Sequence, residues 1–172
     1  ESIAPSDGRL VSVDTADGRT DPGFVRRVAE LLTKWQDILR LKDWDIKIEV
    51  APREWRKSGD IKIDSEDRKA VLLVNERPKS GNLEELVVHE LLHLKLWDMD
   101  QMIEDLINLV YGTDEKDPKR EFAYGQFMRT LEATVEDLTK GYLAAYGCEE
   151  ELSFGRIKQQ VDEEIGAEKH EP

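Results

Sequence analysis

The sequence predicts an α+β domain. It comprises an N-terminal helix, a small three-stranded twisted sheet with a hairpin, a buried helix, a long second helix and a C-terminal tail. Three observations carry this reading. Apolar residues recur at helical spacing early in the chain, alternate with polar ones in its middle, and return to helical spacing afterwards. The 172 residues suffice for one domain with a real core. No internal repeat and no linker divides them.

The elements follow in order. Residues 1–20 are rich in Ser, Asp, Gly and Thr and read as a flexible arm. The domain proper spans 21–147. A helix starts at Asp21-Pro22, where the missing proline N–H costs least. Val25, Val28, Leu32, Trp35 and Leu39 mark its apolar face to about Leu41, a face suited to covering a sheet. Residues 44–50 alternate apolar and polar, the mark of a half-buried strand, and Pro52 ends them. Residues 60–64 alternate likewise, 65–68 form a polar turn, and 70–75 are a more continuous apolar strand. The last two strands read as a hairpin, with Trp55 and Ser58-Gly59 in the connection before it.

A turn cluster at 78–82 precedes the buried helix, with Asn82 as N-cap and Glu84 and Glu85 suiting the helix dipole. This helix runs to about Trp97. Asp98 or Asp100 caps a shorter one over 102–111, and Gly112 breaks it. The long helix starts at Asp117-Pro118, with Phe122, Phe127, Leu131, Val135, Leu138, Tyr142 and Tyr146 as its apolar line. Gly147 marks its end. Residues 148–172 carry a weaker helical pattern (Leu152, Ile157, Val161, Ile165) and end in charge.

Composition narrows the partners. The net charge of −13 disfavours nucleic acid, whose phosphates attract basic surfaces. It would welcome a basic peptide or protein, although acidic surfaces more commonly serve solvation. No stretch approaches 18 apolar residues, so no membrane helix is expected, and no signal-peptide pattern is read at the start. Cys148 is alone, which excludes an intramolecular disulfide and fits a reducing cytoplasm.

The chemistry centres on Val87-Val88-His89-Glu90-Leu91-Leu92-His93-Leu94. His89 and His93 are four apart, so on a helix both rings leave one face, roughly 6 Å apart along the axis. That suits two nitrogens bonding one Zn²⁺. Glu90 points about 100° round the helix, beside the metal, where a carboxylate can take a proton from an activated water. This is the H-E-x-x-H pattern of metalloproteases, two ligands and a general base. The bland alternative is a pair of histidines bonded within a core.

A catalytic zinc needs a third protein ligand and an open position. The third histidine, His170, lies in a charged tail and is a poor candidate. Glu132 adjoins the buried line of the long helix, between Leu131 and Val135, where a charge needs a partner or a metal. Glu136, one turn on, can accept the second N–H of a ligand imidazole. Glu121 and Glu104 are the reserve candidates. The alternative is a glutamate pair on a solvated edge.

His89-Glu90-x-x-His93 with Glu132-x-x-x-Glu136 downstream resembles the gluzincin metallopeptidases, in which a "glutamate helix" carries the third ligand and an acid four residues on supports a histidine. Glu136 stands where thermolysin-like members have Asp. The order of elements is similar to the zincin core, and the size is most similar to the small prokaryotic minigluzincins. Lys95 departs from the apolar residue usual at that place. The metzincin and SprT-like patterns are absent, whereas the ImmA/IrrE-like regulatory proteases share the helix and the downstream acid.

The resemblance implies zinc-dependent peptide hydrolysis. His89, His93 and Glu132 would be ligands, Glu90 the general base and Glu136 the supporting acid. An edge strand above the metal would bind substrate, here Val71, Leu72, Leu73 and Val74. It also implies that residues 148–172 could lie in the cleft and hold the protein latent, with Cys148 or His170 as a further ligand. A packed terminal helix is the alternative, as is a non-catalytic module with a structural metal.

Overall fold

Asp21 begins the first helix, its side chain accepting the Gly23 N–H at 3.0 Å. In this computed structural model, which describes residues 2–3, 11–15, 21–79, 81–148 and 151–168, that helix is α1 (Pro22–Ile38). It buries Val25, Val28, Ala29, Leu31, Leu32 and Trp35. It stops three residues before Leu41 because Arg40 turns left-handed, with φ 57°. The Arg40 and Leu41 N–H groups then close on the carbonyls of Asp37 and Gln36, a Schellman ending without glycine.

The three expected strands form, and the last two pair as the expected antiparallel hairpin. They are β3 (Asp45–Ala51), β4 (Gly59–Asp64) and β5 (Lys69–Asn75), with Ile61 opposite Leu72. β3 runs parallel to β5, aligning Ile48 with Leu72 and Val50 with Val74. The arm needs correction. Val11–Thr15 is a strand, β2, parallel to β3, and Ser2–Ile3 is β1, antiparallel to β2. The other residues of 1–20 lie outside the described residues. The physical reason is pairing: without β2, β3 would present a bare edge, and α1 supplies the crossover that a parallel β2–β3 pair requires. The sheet order is β1-β2-β3-β5-β4.

That order corrects a second expectation. Val71, Leu72, Leu73 and Val74 lie in β5, which β3 and β4 flank on its two sides, so β5 has no free edge to offer. The edge strand is β4.

α2 (Leu83–Lys95) is buried on nearly every side, because α1, α4 (Pro118–Tyr146) and β4 all pack on it. Val87, Val88 and Leu91 are wholly enclosed. Asn82 caps it as expected, accepting the Glu85 N–H at 3.0 Å. The helix breaks at Leu96, and α3 (Trp97–Tyr111) starts at once, five residues earlier than the spacing predicts. Asp98 and Asp100 therefore sit in the first turn of α3 and do not cap it. Asp117 caps α4 through the N–H groups of Lys119 and Arg120, both at 2.9 Å. α4 turns Leu131, Val135, Thr139 and Leu143 inward. Phe122, Leu138 and Tyr146, expected on its apolar line, face solvent.

The chain leaving α4 is fastened to the first turn of α2. The Cys148 N–H and thiol donate to Glu84 at 2.9 and 2.5 Å, and the Ser153 N–H donates to Glu85 at 2.8 Å. Asn82 donates to the Glu151 carbonyl at 3.4 Å. The tail helix α5 (Gly155–Glu168) leaves Ile157, Val161 and Ile165 exposed. No helix among the described residues is long and apolar enough to cross a membrane.

Candidate metal centre

The middle of α2 and the middle of α4 meet through polar atoms. His89 Nε2 and His93 Nε2 are 3.2 Å apart. Glu132 on α4 reaches both, with Oε1 3.1 Å from His93 Nε2 and Oε2 3.6 Å from His89 Nε2. Each residue offers one atom, and the three atoms lie within 4.8 Å of one another. A tetrahedral zinc bonded at about 2.0–2.1 Å separates its ligands by roughly 3.3–3.4 Å. The three observed spacings bracket that figure, so the donor set fits a tetrahedral cation in both chemistry and size. This group alone, among the described residues, has such a geometry.

Glu136 lies one turn beyond Glu132, its Oε1 3.3 Å from His89 Nδ1. That contact holds the His89 ring with Nε2 turned toward Glu132 and His93, as outer carboxylates do for metal-bound histidines. The structure thus brings His89, His93, Glu132 and Glu136 together. Glu104 and Glu121, the reserve candidates, stand apart from the group. Cys148 is engaged by Glu84, and His170 lies outside the described residues.

Burial and neighbouring charges shift the protonation of His89, His93 and Glu90. Burial and the neighbouring His93 hold the His89 imidazole below its ordinary value, against the pull of Glu136 and Glu132. Burial also opposes charging of His93, but the Glu132 hydrogen bond and the charges of Glu132, Glu90 and Asp100 outweigh it and raise that group. Glu90 is only 9% exposed and makes no hydrogen bond among the described residues. Burial is the main cause that pushes its carboxyl up to about 7, with Asp60 and Glu132 adding to the rise and His93 opposing it.

These groups line an open cleft of about 530 Å³ between α2, α4 and the edge strand β4. Its walls include Lys57, Gly59, Asp60, Ile61, Trp97 and Asp100, besides Met128 one turn before Glu132. Lys57, Gly59, Asp60 and Ile61 enter from β4, the edge strand, and the loop before it. Gly59 permits the close approach of β4 to α2. A Cβ there would stand 2.8 Å from Leu86 Cδ2 and 3.3 Å from Glu90 Oε1. Asn75 shapes the loop that leads into β4. Its buried amide donates to the carbonyls of Trp55 at 2.9 Å and Lys57 at 3.0 Å, and its oxygen accepts the Arg77 N–H. The Ser58-Gly59 pair before an alternating run was the available signal for this approach.

None of Tyr124, Tyr142 and Tyr146 lines the cleft. Tyr142 packs edge-on against Trp35, Tyr124 meets Phe127 and Arg120, and Tyr146 is exposed. Nor does any described residue of the tail line it.

Comparison with protein-family models, with curated proteins and with solved structures finds no match to this chain.

Proposed function

We propose that this chain is a zinc-dependent peptidase with the gluzincin arrangement of residues. One observation carries the reading. His89, His93 and Glu132 present three donor atoms at tetrahedral spacing on the wall of an open cleft, with the unpaired Glu90 carboxylate beside them. Two helices hold the donors rigidly, and Glu136 orients His89, which leaves the cleft side free for a substrate and water.

Zinc held there would supply Lewis acidity to a scissile carbonyl and an acidified water near neutral pH. The chain's own residues do the rest. Glu90 takes the proton of the attacking water and delivers it to the leaving amine. β4 offers its unpaired edge along the cleft, so an extended peptide docks there as an added strand. Cys148 and Ser153 tie the start of the tail to the far end of α2 through Glu84 and Glu85, and no described tail residue lines the cleft.

The test is metal analysis joined to hydrolysis of a mixed peptide substrate. About one zinc per chain and loss of hydrolysis on chelation, restored by added zinc, are the expected results. A chain that binds zinc at His89 and His93 but leaves every peptide intact would favour a structural metal.

A further inference from the structure

One end of the cleft differs from the other. At the β4 end, Asp60 is bound by Lys57 at 2.8 Å and by Lys62 at 3.1 Å. These cations outweigh its burial and keep its carboxyl below the usual range. At the α3 end, Trp97 and Asp100 stand three apart in the first turn of α3, on one face, and both line the cleft. Asp100 has no lysine or arginine partner among the described residues. Its neighbour one turn on is Glu104, and both are half-buried. Burial first, and Glu104 second, raise the Asp100 carboxyl, with His93 and Gln101 opposing. A like-charged pair kept partly from water is unfavourable unless something positive arrives.

Trp97 and Met128, both half-buried, line the same cleft as Asp100 and the metal ligands. An apolar wall ending in an unneutralised carboxylate matches one kind of side chain, an aliphatic stem with a cationic tip. Glu90, nine-tenths buried and unpaired, opens into the same cleft. The chain's overall charge of −13 would favour the encounter.

We infer that the α3 end of the cleft is a specificity subsite for a lysine or arginine side chain adjacent to the scissile bond. The stem packs on Trp97 and Met128, and Asp100 takes the charge. This rests on the proposed peptidase reading and narrows it to basic peptides. Asp100 acts on the substrate side chain and not on the reacting atoms, so it governs preference rather than the chemical step.

The experiment uses the full zinc-loaded chain with Glu90→Gln, which holds peptides without cutting them. Fluorescently labelled decapeptides that differ at one central residue, Lys, norleucine or Glu, are titrated by anisotropy. The Lys peptide should bind about tenfold more tightly than the Glu peptide, the size expected of a partly exposed charge contact. Adding Asp100→Asn should bring that ratio close to one, and Asp100→Lys should invert it, with norleucine binding little changed. Equal binding of the three peptides, binding of none, or a Lys preference untouched by Asp100→Asn overturns the subsite. Parallel hydrolysis by the unmodified chain separates the two readings. Lys-selective binding without cleavage would remove only the peptidase reading. Zinc-dependent cleavage without Lys preference would remove only the subsite.

Discussion

Glu84 and Glu90 stand six residues apart on α2, both withdrawn from solvent, and behave as opposites. Glu84 is 1% exposed and accepts four donors: Lys34 Nζ at 2.7 Å, Trp35 Nε1 at 2.8 Å, and the N–H and thiol of Cys148. Burial alone would raise its carboxyl, but these donors hold it down at about 2. Glu90 has burial without donors and rises to about 7. The lesson is that burial does not decide a carboxylate's role. A fully satisfied one is structural, joining α1, α2 and the end of α4, while an unsatisfied one facing a cleft is available to move a proton.

The contrast can be broken most sharply at Glu90. Glu90→Gln should lower peptide hydrolysis by at least about 10²–10⁴-fold while zinc occupancy stays at one per chain. Full activity in that variant would end its role as base. Glu84→Ala should do the reverse. It leaves a lysine, an indole N–H and a backbone N–H without their acceptor, so unfolding free energy should fall by about 2–4 kcal/mol. Hydrolysis per folded molecule should hold steady, and urea titration with an active-site count would reveal a failure of either half.

The two residues should also pull stability in opposite directions with pH in the metal-free protein. Glu84 has a folded value of about 2 against an ordinary 4.5. Its contribution, roughly 3 kcal/mol, is therefore complete above pH 4.5 and vanishes as pH falls toward 2. Glu90 has a folded value of about 7, so its neutral form suits the fold at pH 4.5 and below. Between pH 4.5 and 7 only the unfolded chain gives up this proton, so a comparable loss, roughly 3 kcal/mol, builds up across that range and is complete just above 7. Unfolding of the unmodified chain, Glu84→Gln and Glu90→Gln between pH 3 and 8 tests this. The first variant should flatten the acid limb and the second the alkaline limb; parallel curves would deny the difference between the sites. A smaller effect belongs to the His89 support. Glu136→Ala should weaken zinc binding by about 10–100-fold without unfolding the chain, as read by competition with a chelating dye.

Much of this was legible before the fold. The pairing of His89 with His93 needs only the helical repeat. Glu132 was legible because a carboxylate beside Leu131 and Val135 borders a buried line. Glu136 followed from the four-residue spacing. Other roles depend on contacts distant in the chain. Val71 to Val74 were expected at a sheet edge because they precede α2 in the chain, yet β3 pairs with their free side. Asp100 was expected as a cap, since the helix break at Leu96 has no capping side chain to announce it. Glu84 read as a dipole-matching acid, because Lys34 and Trp35 lie about fifty residues before it and Cys148 sixty-four after it.

By itself, then, the sequence determined what short-range periodicity controls. It set where α1, α2 and α4 begin, and it put His89 with His93, and Glu132 with Glu136, on shared helix faces. Only the tertiary structure decided which strand is the edge, which carboxylate is neutralised by distant donors, and which end of the cleft is left negative. Spacing along a helix is a local geometric matter. Proton affinity and edge pairing depend on desolvation, charge and hydrogen bonds between groups that meet only when the chain has folded.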